Sequence, residues 1–360
     1  MSDFLNTTIE SNLRETPAKL LEIVQGADAL FAGIRERKYE RILLTGSGTS
    51  FHSAAQVCAF MQRTLGIEVS ALYPFMITEG TFDDSHAKGH KTLLVGISQG
   101  GASFSTYNAM KLAREKGAET ASMAGTENAF IDEQANHVLT VHCGEEKVGA
   151  KTKGFYCTKL NLMLMALQMA KAQGRRSEAE YGNFVSGVQA AAGCFETVYG
   201  QAERWIEANR ERFAAAQNIR VVGTQEMYGD TLEGALKLLE TMRLPVTGYE
   251  FEEFVHGVYN AIDENSTLFI LDSGTEERVH KLVHVLSAWT ENIYVIGRDV
   301  PAGDRHLKAD IYDDPDLQTF NFLLPIQLIC AKIPGMKGID SSKPKDPEFH
   351  MKLGSKRFNR

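Results

Sequence analysis

Short runs of apolar residues alternate with amphipathic segments along most of the chain. Runs of five or six apolar residues that end at glycine or at a polar turn are typical of strands buried in a parallel sheet, and apolar positions three or four residues apart predict helices. The strands predicted in this way are residues 41–45, 69–73, 92–97, 120–124, 138–142, 219–224, 267–271, 292–296 and 309–312. The predicted helices are residues 16–35, 50–65, 103–116, 153–172, 178–216, 228–242, 276–290 and 320–332.

The alternation of strand and helix occurs twice, and a purely helical stretch separates the two occurrences. This order predicts an α/β fold of two doubly wound parallel-sheet domains joined by helices. The expected divisions are a helical segment at 1–37, a first domain at 38–175, linking helices at 176–214, a second domain at 215–335 and a tail at 336–360. The tail is polar and has no periodicity, so composition alone leaves a disordered end open.

Two loops in the first domain are rich in glycine and hydroxyl groups and contain no acidic residue. Gly46-Ser-Gly-Thr-Ser50 follows the first strand, and Ser98-Gln-Gly-Gly-Ala-Ser103 follows the strand at 92–97. Ligands of open parallel sheets bind beyond the carboxyl ends of the strands, where helix N-termini offer free N–H groups to anions. The pair of loops therefore predicts an anion site, although Ser50 and Ser103 are also good candidates for simple helix N-caps.

Two familiar nucleotide motifs fit these loops poorly. The first loop lacks the third glycine of the dinucleotide fingerprint, and no acidic residue ends the next predicted strand at 69–73. Neither loop ends in the Gly-Lys-Ser/Thr sequence of a P-loop. The sequence thus favours a smaller phosphorylated ligand over a dinucleotide or ATP.

Composition and charge exclude several classes of protein. The net charge of −8 argues against a non-specific nucleic-acid binder, which needs a basic surface. No apolar stretch is long enough to span a membrane, and the sequence at Met1–Phe4 does not have the basic and apolar regions of a signal peptide. The five cysteines are scattered and form no Cys-x-x-Cys pair. We therefore expect a cytoplasmic protein without a disulfide framework, a metal site or a membrane partner.

The two loops resemble the phosphosugar-binding loops of the SIS (sugar isomerase) domain family. The closer resemblance is to the double-SIS isomerase half of glucosamine-6-phosphate synthase and to fructosamine-6-phosphate deglycases, which implies two flavodoxin-like domains. The resemblance implies substrate and phosphate contacts in both loops and in a later segment, at Gly48, Thr49, Ser50, Ser98, Gln99, Ala150 and Thr152. Residues 146–153 resemble the family segment E-x-G-V-A-S-T-K, with Lys151 in place of its serine, and Gly100-Gly-Ala102 replaces the Ser-Gly-Glu of the synthase.

Ser103 completes the phosphate contacts that this resemblance implies. In the second half, residues 232–240 resemble the family helix L-E-G-A-L-K-L-K-E, and residues 253–257 resemble its E-x-x-H-G segment, although Val258 replaces the usual proline. The tail resembles the family's C-terminal loop, which implies that Lys352 reaches the sugar.

Glu233, Lys237 and Glu240 lie three and four residues apart and share one helix face. From spacing alone, a solvated row of ion pairs is the better interpretation. The resemblance changes this balance: it implies that Glu240 transfers the proton, that Lys237 is a cation of the site, that Glu233 contributes to substrate binding, and that His256 opens the sugar ring.

These roles predict an enzyme that isomerises sugar 6-phosphates through an enediol or enaminol, without a cofactor or metal. We expect no glutaminase domain, because the chain starts Met1-Ser-Asp and reaches its first strand at residue 41. The favoured prediction is therefore a deglycase that releases an amine from the adduct of a sugar 6-phosphate. An aldose–ketose isomerase, an aminosugar-phosphate deaminase and a non-catalytic sugar-phosphate sensor remain as alternatives. The resemblance also implies a homodimer.

Overall fold

A computed structural model of the chain describes residues 8–83 and 91–357. Its strands form two parallel sheets of five strands each, flanked by helices. The predicted α/β class with two doubly wound sheets is therefore confirmed. The prediction about a signal peptide concerns residues that lie outside the described part of the chain.

The first sheet has the strand order 2-1-3-4-5 of flavodoxin-like domains. Its strands are β1 (Arg41–Thr45), β2 (Glu68–Leu72), β3 (Thr92–Ile97), β4 (Glu119–Met123) and β5 (His137–Val138). The helices of this part of the chain are α1 (Ile9–Leu30), α2 (Thr49–Leu65), α3 (Phe104–Glu115), α4 (Lys153–Ala172) and α5 (Glu178–Ala215). All residues of β1 and β3 are buried, as their continuous apolar runs predict. Because β1 and β3 are neighbours, the loops that follow them lie at the same edge of the sheet.

The second sheet repeats this order when its strands are counted from its own first strand. Its strands are β6 (Asn218–Gly223), β7 (Val246–Glu250), β8 (Ser266–Asp272), β9 (Ile293–Gly297) and β10 (Leu307–Lys308). The remaining helices are α6 (Tyr228–Met242), α7 (Phe251–Val255), α8 (Val279–Leu286), α9 (Thr319–Phe322), α10 (Leu324–Lys332) and α11 (Phe349–Leu353). None of the helices in residues 8–83 and 91–357 combines the length and apolar character needed to cross a membrane.

Several predicted boundaries are wrong. α1 begins at Ile9 rather than at residue 16, because its buried face, which includes Leu13 and Leu20, continues through Pro17. β7 is absent from the prediction because this edge strand has no continuous apolar run. Its Gly248 packs closely against α6, where a Cβ atom on this residue would lie 3.0 Å from the Thr231 carbonyl oxygen. α8 is shorter than predicted, and the short edge strands β5 and β10 are displaced from the predicted ranges 138–142 and 309–312.

The chain forms two compact units. The first-sheet unit contains the described residues 18–83, 91–146, 153–186 and 345–357. The second-sheet unit contains residues 147–152, residues 187–344 and the described residues up to 17. The segment 147–152 therefore belongs to a different unit from the sequence on either side of it.

Candidate active site

The loop between β1 and α2 lies against the end of β3. A Cβ atom on Gly46 would be 2.7 Å from the carbonyl oxygen of Ile97, so only glycine allows this approach. Gly48 has φ 56°, a left-handed conformation that also favours glycine. The glycines that the sequence places in this loop thus bring its backbone close to the start of the loop at 98–103.

The N-terminus of α2 has no side-chain cap. Gly48 is the N-cap residue, and it makes no side-chain cap hydrogen bond. Ser50 is 8% exposed, and within the described residues its hydroxyl group has no hydrogen-bond partner. The interpretation of Ser50 as an N-cap is therefore wrong. A helix N-terminus whose N-cap residue has no side chain, together with a hydroxyl donor, forms an arrangement that binds anions.

The second loop makes a tight turn in front of α3. The Gly101 amide donates to the carbonyl oxygen of Ser98 at 2.7 Å, and Gly101 has φ 67°. Ser98 is 8% exposed, and no hydrogen bond of its hydroxyl group is present among the described residues. Ser103 is the N-cap of α3, because its Oγ accepts a hydrogen bond from the Thr106 amide at 3.3 Å. The N-cap interpretation is thus confirmed for Ser103.

The side chain of Gln99 is held within the first-sheet unit. Its Nε2 donates to Sγ of Cys143 at 2.7 Å, and its Oε1 accepts from the Thr158 hydroxyl at 3.4 Å. A Cβ atom on Gly154 would lie 2.6 Å from the Gln99 side-chain carbon Cδ. Burial raises the pKa of the Cys143 thiol, which favours its neutral form at this contact. These contacts fix the orientation of Gln99, a packing role that its position in the loop does not reveal.

Glu233, Lys237 and Glu240 meet on one face of α6 in the second-sheet unit. The ammonium group of Lys237 is 2.7 Å from Oε2 of Glu240 and 3.5 Å from Oε1 of Glu233. Glu233 and Lys237 are buried, whereas the Glu240 side chain is 35% exposed. The interpretation as a solvated row of ion pairs is therefore wrong for the first two residues.

Lys237 carries its charge inside the protein. Burial on its own lowers the pKa of this lysine, but the carboxylates of Glu233 and Glu240 outweigh that effect and raise the pKa above its ordinary value. The cluster thus contains a fixed cation that holds one oxygen of the Glu240 carboxylate at the protein surface.

His256 lies at the C-terminus of the short helix α7. Its side chain is 75% exposed, and its Nδ1 is 2.8 Å from the Glu252 carbonyl oxygen. In the described part of the chain, no hydrogen bond or ion pair joins His256 to Glu240. The structure therefore leaves the proposed ring-opening group exposed to solvent rather than placed in the cluster on α6.

The segment at 146–153 is divided between the two units. In the first-sheet unit, Glu146 accepts a hydrogen bond from the Gly154 amide at 2.6 Å, which satisfies the first turn of α4. In the second-sheet unit, Ala150 and Thr152 are buried, and the Gly149 amide donates to the Ser342 carbonyl oxygen at 2.7 Å. A Cβ atom on Gly149 would lie 2.8 Å from the Pro344 nitrogen, so the close approach of the tail requires glycine at position 149.

The tail is ordered structure rather than an irregular end. α11 contains Lys352, whose ammonium group is 2.9 Å from Oδ2 of Asp346 and 3.2 Å from Oε2 of Glu348. Residues 355–357 then run beside residues 102–104 of the second loop. The disordered alternative is wrong for the described part of the tail. The pairing with the loop has no signal in the sequence, because it rests on backbone hydrogen bonds between distant residues.

Comparisons with known proteins identify relatives along the whole chain. A sequence model of the SIS domain matches residues 34–170. The chain is 56% identical to a candidate phosphosugar isomerase from Clostridium difficile 630, whose structure superposes with a TM-score of 0.95 and a coverage of 98% of this chain and 99% of that one. It is 38% identical to a candidate sugar-binding protein from Salmonella typhimurium LT2, with a TM-score of 0.81 and a coverage of 90% and 99%.

Curated relatives are longer proteins. Glutamine–fructose-6-phosphate aminotransferase (isomerizing) from Aquifex aeolicus is 27% identical over 320 residues, which cover 86% of this chain and 51% of that protein. The chain thus spans about half the length of the curated relatives that it matches. The resemblance stated from the motifs is confirmed at the level of the family.

Proposed function

This chain belongs to the SIS domain family and is of the phosphosugar isomerase type, and we propose that it is a deglycase that acts on the amine adduct of a sugar 6-phosphate. In this proposal the ketoamine form of the adduct is isomerised to an imine, and water then releases the sugar 6-phosphate and the free amine. The substrate is a small molecule, and no metal or cofactor takes part.

The observation that carries the proposal is the cluster on α6. Glu240 is accessible at the surface, and the buried ammonium group of Lys237 fixes one oxygen of its carboxylate. A carboxylate held in this way suits proton transfer beside a carbonyl group, where the base must be positioned within hydrogen-bond distance of the carbon acid. We assign the base to Glu240, the site cation to Lys237 and a positioning contact to Glu233.

The reaction balances without an external oxidant or reductant. Glu240 removes a proton from C1 of the ketoamine, and the electron pair of the C–H bond forms the C1–C2 double bond of an enaminol as the carbonyl oxygen at C2 is protonated. The proton returns to C2 as the nitrogen lone pair forms the C1=N double bond, and loss of the N–H proton gives the C1 imine. Water adds to C1, and the C1–N bond breaks to give the aldose 6-phosphate and the amine.

The remaining residues serve binding and ring opening. The loops at 46–50 and 98–103 bind the phosphate group. The binding energy gained there, remote from the reacting carbons, positions those carbons for reaction. Gly48, Thr49, Ser50, Ser98, Gln99 and Ser103 form this part of the proposed site, and Ala150 and Thr152 contribute contacts to the substrate. His256 opens the sugar ring as an acid and base, and Lys352 assists from the tail. The protein is proposed to be a cytoplasmic homodimer.

An aldose–ketose isomerase is the second candidate. The specific observation in its favour is the relative with 56% identity, which is described as a candidate phosphosugar isomerase. Such an enzyme needs the same base and the same phosphate loops. Only its substrate differs, because that substrate carries oxygen rather than nitrogen at C1.

A panel of substrates separates the candidates. Fructose 6-phosphate, glucosamine 6-phosphate and the glycine and lysine adducts of fructose 6-phosphate are incubated with the enzyme, and the products are analysed by mass spectrometry. A deglycase yields glucose 6-phosphate and a free amino acid from an adduct. Interconversion of aldose and ketose alone supports the isomerase, release of ammonia from glucosamine 6-phosphate alone supports a deaminase, and binding without turnover contradicts an enzymatic function.

The two serines of the loops are expected to respond differently to alanine. In Ser50→Ala, loss of a hydroxyl donor weakens binding of fructose 6-phosphate by about 0.5–1.5 kcal/mol without destabilising the fold, because Ser50 caps no helix. In Ser103→Ala, loss of the cap of α3 lowers the free energy of unfolding by about 1 kcal/mol. Calorimetric titration and urea unfolding of both variants measure these effects. Equal loss of stability in the two variants would contradict the distinction.

A further inference from the structure

The end of the tail is paired with the second phosphate loop through its backbone. The Phe104 amide donates to the Ser355 carbonyl oxygen at 3.4 Å, and the Arg357 amide donates to the Ala102 carbonyl oxygen at 2.9 Å. These two hydrogen bonds flank an antiparallel bridge between Ser103 and Lys356. Ser103 and Lys356 are therefore a non-hydrogen-bonded pair, the kind in which opposite residues approach most closely.

This register determines where the Lys356 side chain projects. Directly opposite residues in an antiparallel pair point to the same face, with Cβ atoms about 4.5–5.5 Å apart. Lys356 is exposed, and it shares the face of Ser103, which is the N-cap of α3. The pairing thus delivers a cation to the loop at 98–103, which contains no acidic residue and no lysine or arginine of its own.

Neighbouring contacts hold the strand in place. The Arg357 guanidinium group is 2.7 Å from Oε1 of Glu133 and lies 4.8 Å from the centre of the Phe130 ring. His350 contacts the Ser355 hydroxyl at 2.8 Å. Burial and the nearby positive charge of Lys356 both lower the pKa of His350. The contacts of Arg357 hold the paired strand beside the loop, with Lys356 opposite Ser103.

The second loop contains a buried hydroxyl group, that of Ser98. Ser98 is more than nine-tenths buried, and in residues 8–83 and 91–357 its hydroxyl group has no hydrogen-bond partner. Gly100 stands where the resembling synthase has serine, so one hydroxyl donor of that pattern is missing from this loop. A lysine that approaches from the tail supplies a donor and a positive charge to the same region.

We propose that Lys356 is a phosphate-binding residue, placed opposite Ser103 by the pairing of the tail with the second loop. This inference rests on the proposed function, because it concerns the phosphate group of the same substrate. It assigns the tail two distinct lysines: Lys352, which is paired with Asp346 and Glu348 in α11, and Lys356, which faces the loop. The ligand class that Lys356 recognises is the phosphate monoester dianion.

The test compares three variants by calorimetric titration with inorganic phosphate, fructose 6-phosphate and unphosphorylated fructose. Lys356→Met is expected to bind fructose 6-phosphate about tenfold more weakly or worse, since hydrogen bonds to charged groups are stronger than neutral ones. Lys356→Arg keeps the charge and is expected to bind within about threefold of the wild type. Lys345→Met removes a tail charge outside the paired strand and serves as the matched control, with unchanged affinity. Any weak binding of fructose is expected to be equal in all proteins.

Turnover of the adduct panel separates this inference from the function itself. If Lys356 binds phosphate, Lys356→Met raises KM and leaves kcat at saturation close to that of the wild type. Wild-type affinity for fructose 6-phosphate in Lys356→Met would overturn the assignment of Lys356 while leaving the deglycase proposal intact. Phosphate binding that depends on Lys356 in a protein without turnover would support Lys356 and contradict the enzymatic proposal. A wild-type protein that binds neither phosphate ligand would overturn both.

Discussion

Replacing Glu240 with glutamine is expected to lower kcat by about 10²–10⁴-fold, the range that a positioned acid–base group contributes. Glutamine keeps the volume of the side chain and can still accept a hydrogen bond from the Lys237 ammonium group, but it cannot take a proton from carbon. The affinity for fructose 6-phosphate is expected to stay within about threefold of the wild type, because the proposed phosphate contacts are made by other residues. Steady-state kinetics with the best adduct of the panel measure the effect.

Glu264→Gln is a matched control for this variant. Glu264 is an exposed residue of the second-sheet unit and is not part of the cluster on α6. It is expected to have wild-type kinetics. A Glu240→Gln enzyme with nearly normal kcat would contradict the role of Glu240, and an equal loss of activity in both variants would indicate a general effect of lost charge.

Lys237→Met is expected to lower the free energy of unfolding by about 3–5 kcal/mol. The substitution removes the cation from a buried ion pair, so that the Glu233 carboxylate, which has no exposed surface, loses its ion pair with the Lys237 ammonium group. Urea unfolding followed by tryptophan fluorescence measures this loss in the relevant unit, because both tryptophans, Trp205 and Trp289, belong to the second-sheet unit.

The electrostatic cause of the lost stability in Lys237→Met can be separated from a simple loss of packing. The double variant Glu233→Gln/Lys237→Met removes both charges, and it is expected to recover a large part of the stability lost in Lys237→Met. Lys281→Met removes an exposed charge from α8 and is expected to change the free energy of unfolding by less than about 0.5 kcal/mol. A Lys237→Met protein as stable as Lys281→Met would contradict the electrostatic account of the cluster.

The sequence predicts the two sheets well because buried parallel strands require continuous apolar runs. β1 and β3 are fully buried and are predicted with their exact boundaries. β7 is a partly exposed edge strand that contains Thr247 and Gly248, so its stability depends on the neighbouring strand β6 rather than on an apolar run of its own. A strand interrupted by threonine and glycine in this way offers no continuous apolar run from which it can be predicted.

The candidate site shows the same difference between local and long-range information. Glycine and hydroxyl residues locate both loops, because tight turns and anion contacts depend on residues that are neighbours in the chain. The distinction between Ser50 and Ser103 depends on which residue begins each helix, a boundary that sequence patterns fix only to within a few residues. Burial of Lys237 depends on what packs over α6, and the position of Lys356 depends on backbone pairing with a loop about 250 residues away.

The spacing of Glu233, Lys237 and Glu240 is the same in a surface row of ion pairs and in a buried cluster. Periodicity therefore establishes that the three residues share a helix face and leaves their surroundings open. The structure supplies the missing information: two of them are buried, and Glu240 reaches the surface. The chemical role of Glu240 is a further step that neither periodicity nor burial provides.

Deuterium incorporation tests the central proposal most directly. The wild-type enzyme is incubated in D₂O with the lysine adduct of fructose 6-phosphate, and the products are analysed by mass spectrometry and proton NMR. Proton transfer through an enaminol predicts free lysine together with glucose 6-phosphate that carries deuterium at C2, at least in a fraction of the molecules. Release of lysine with no deuterium on the sugar carbons, or no release of lysine from any adduct, would contradict the account.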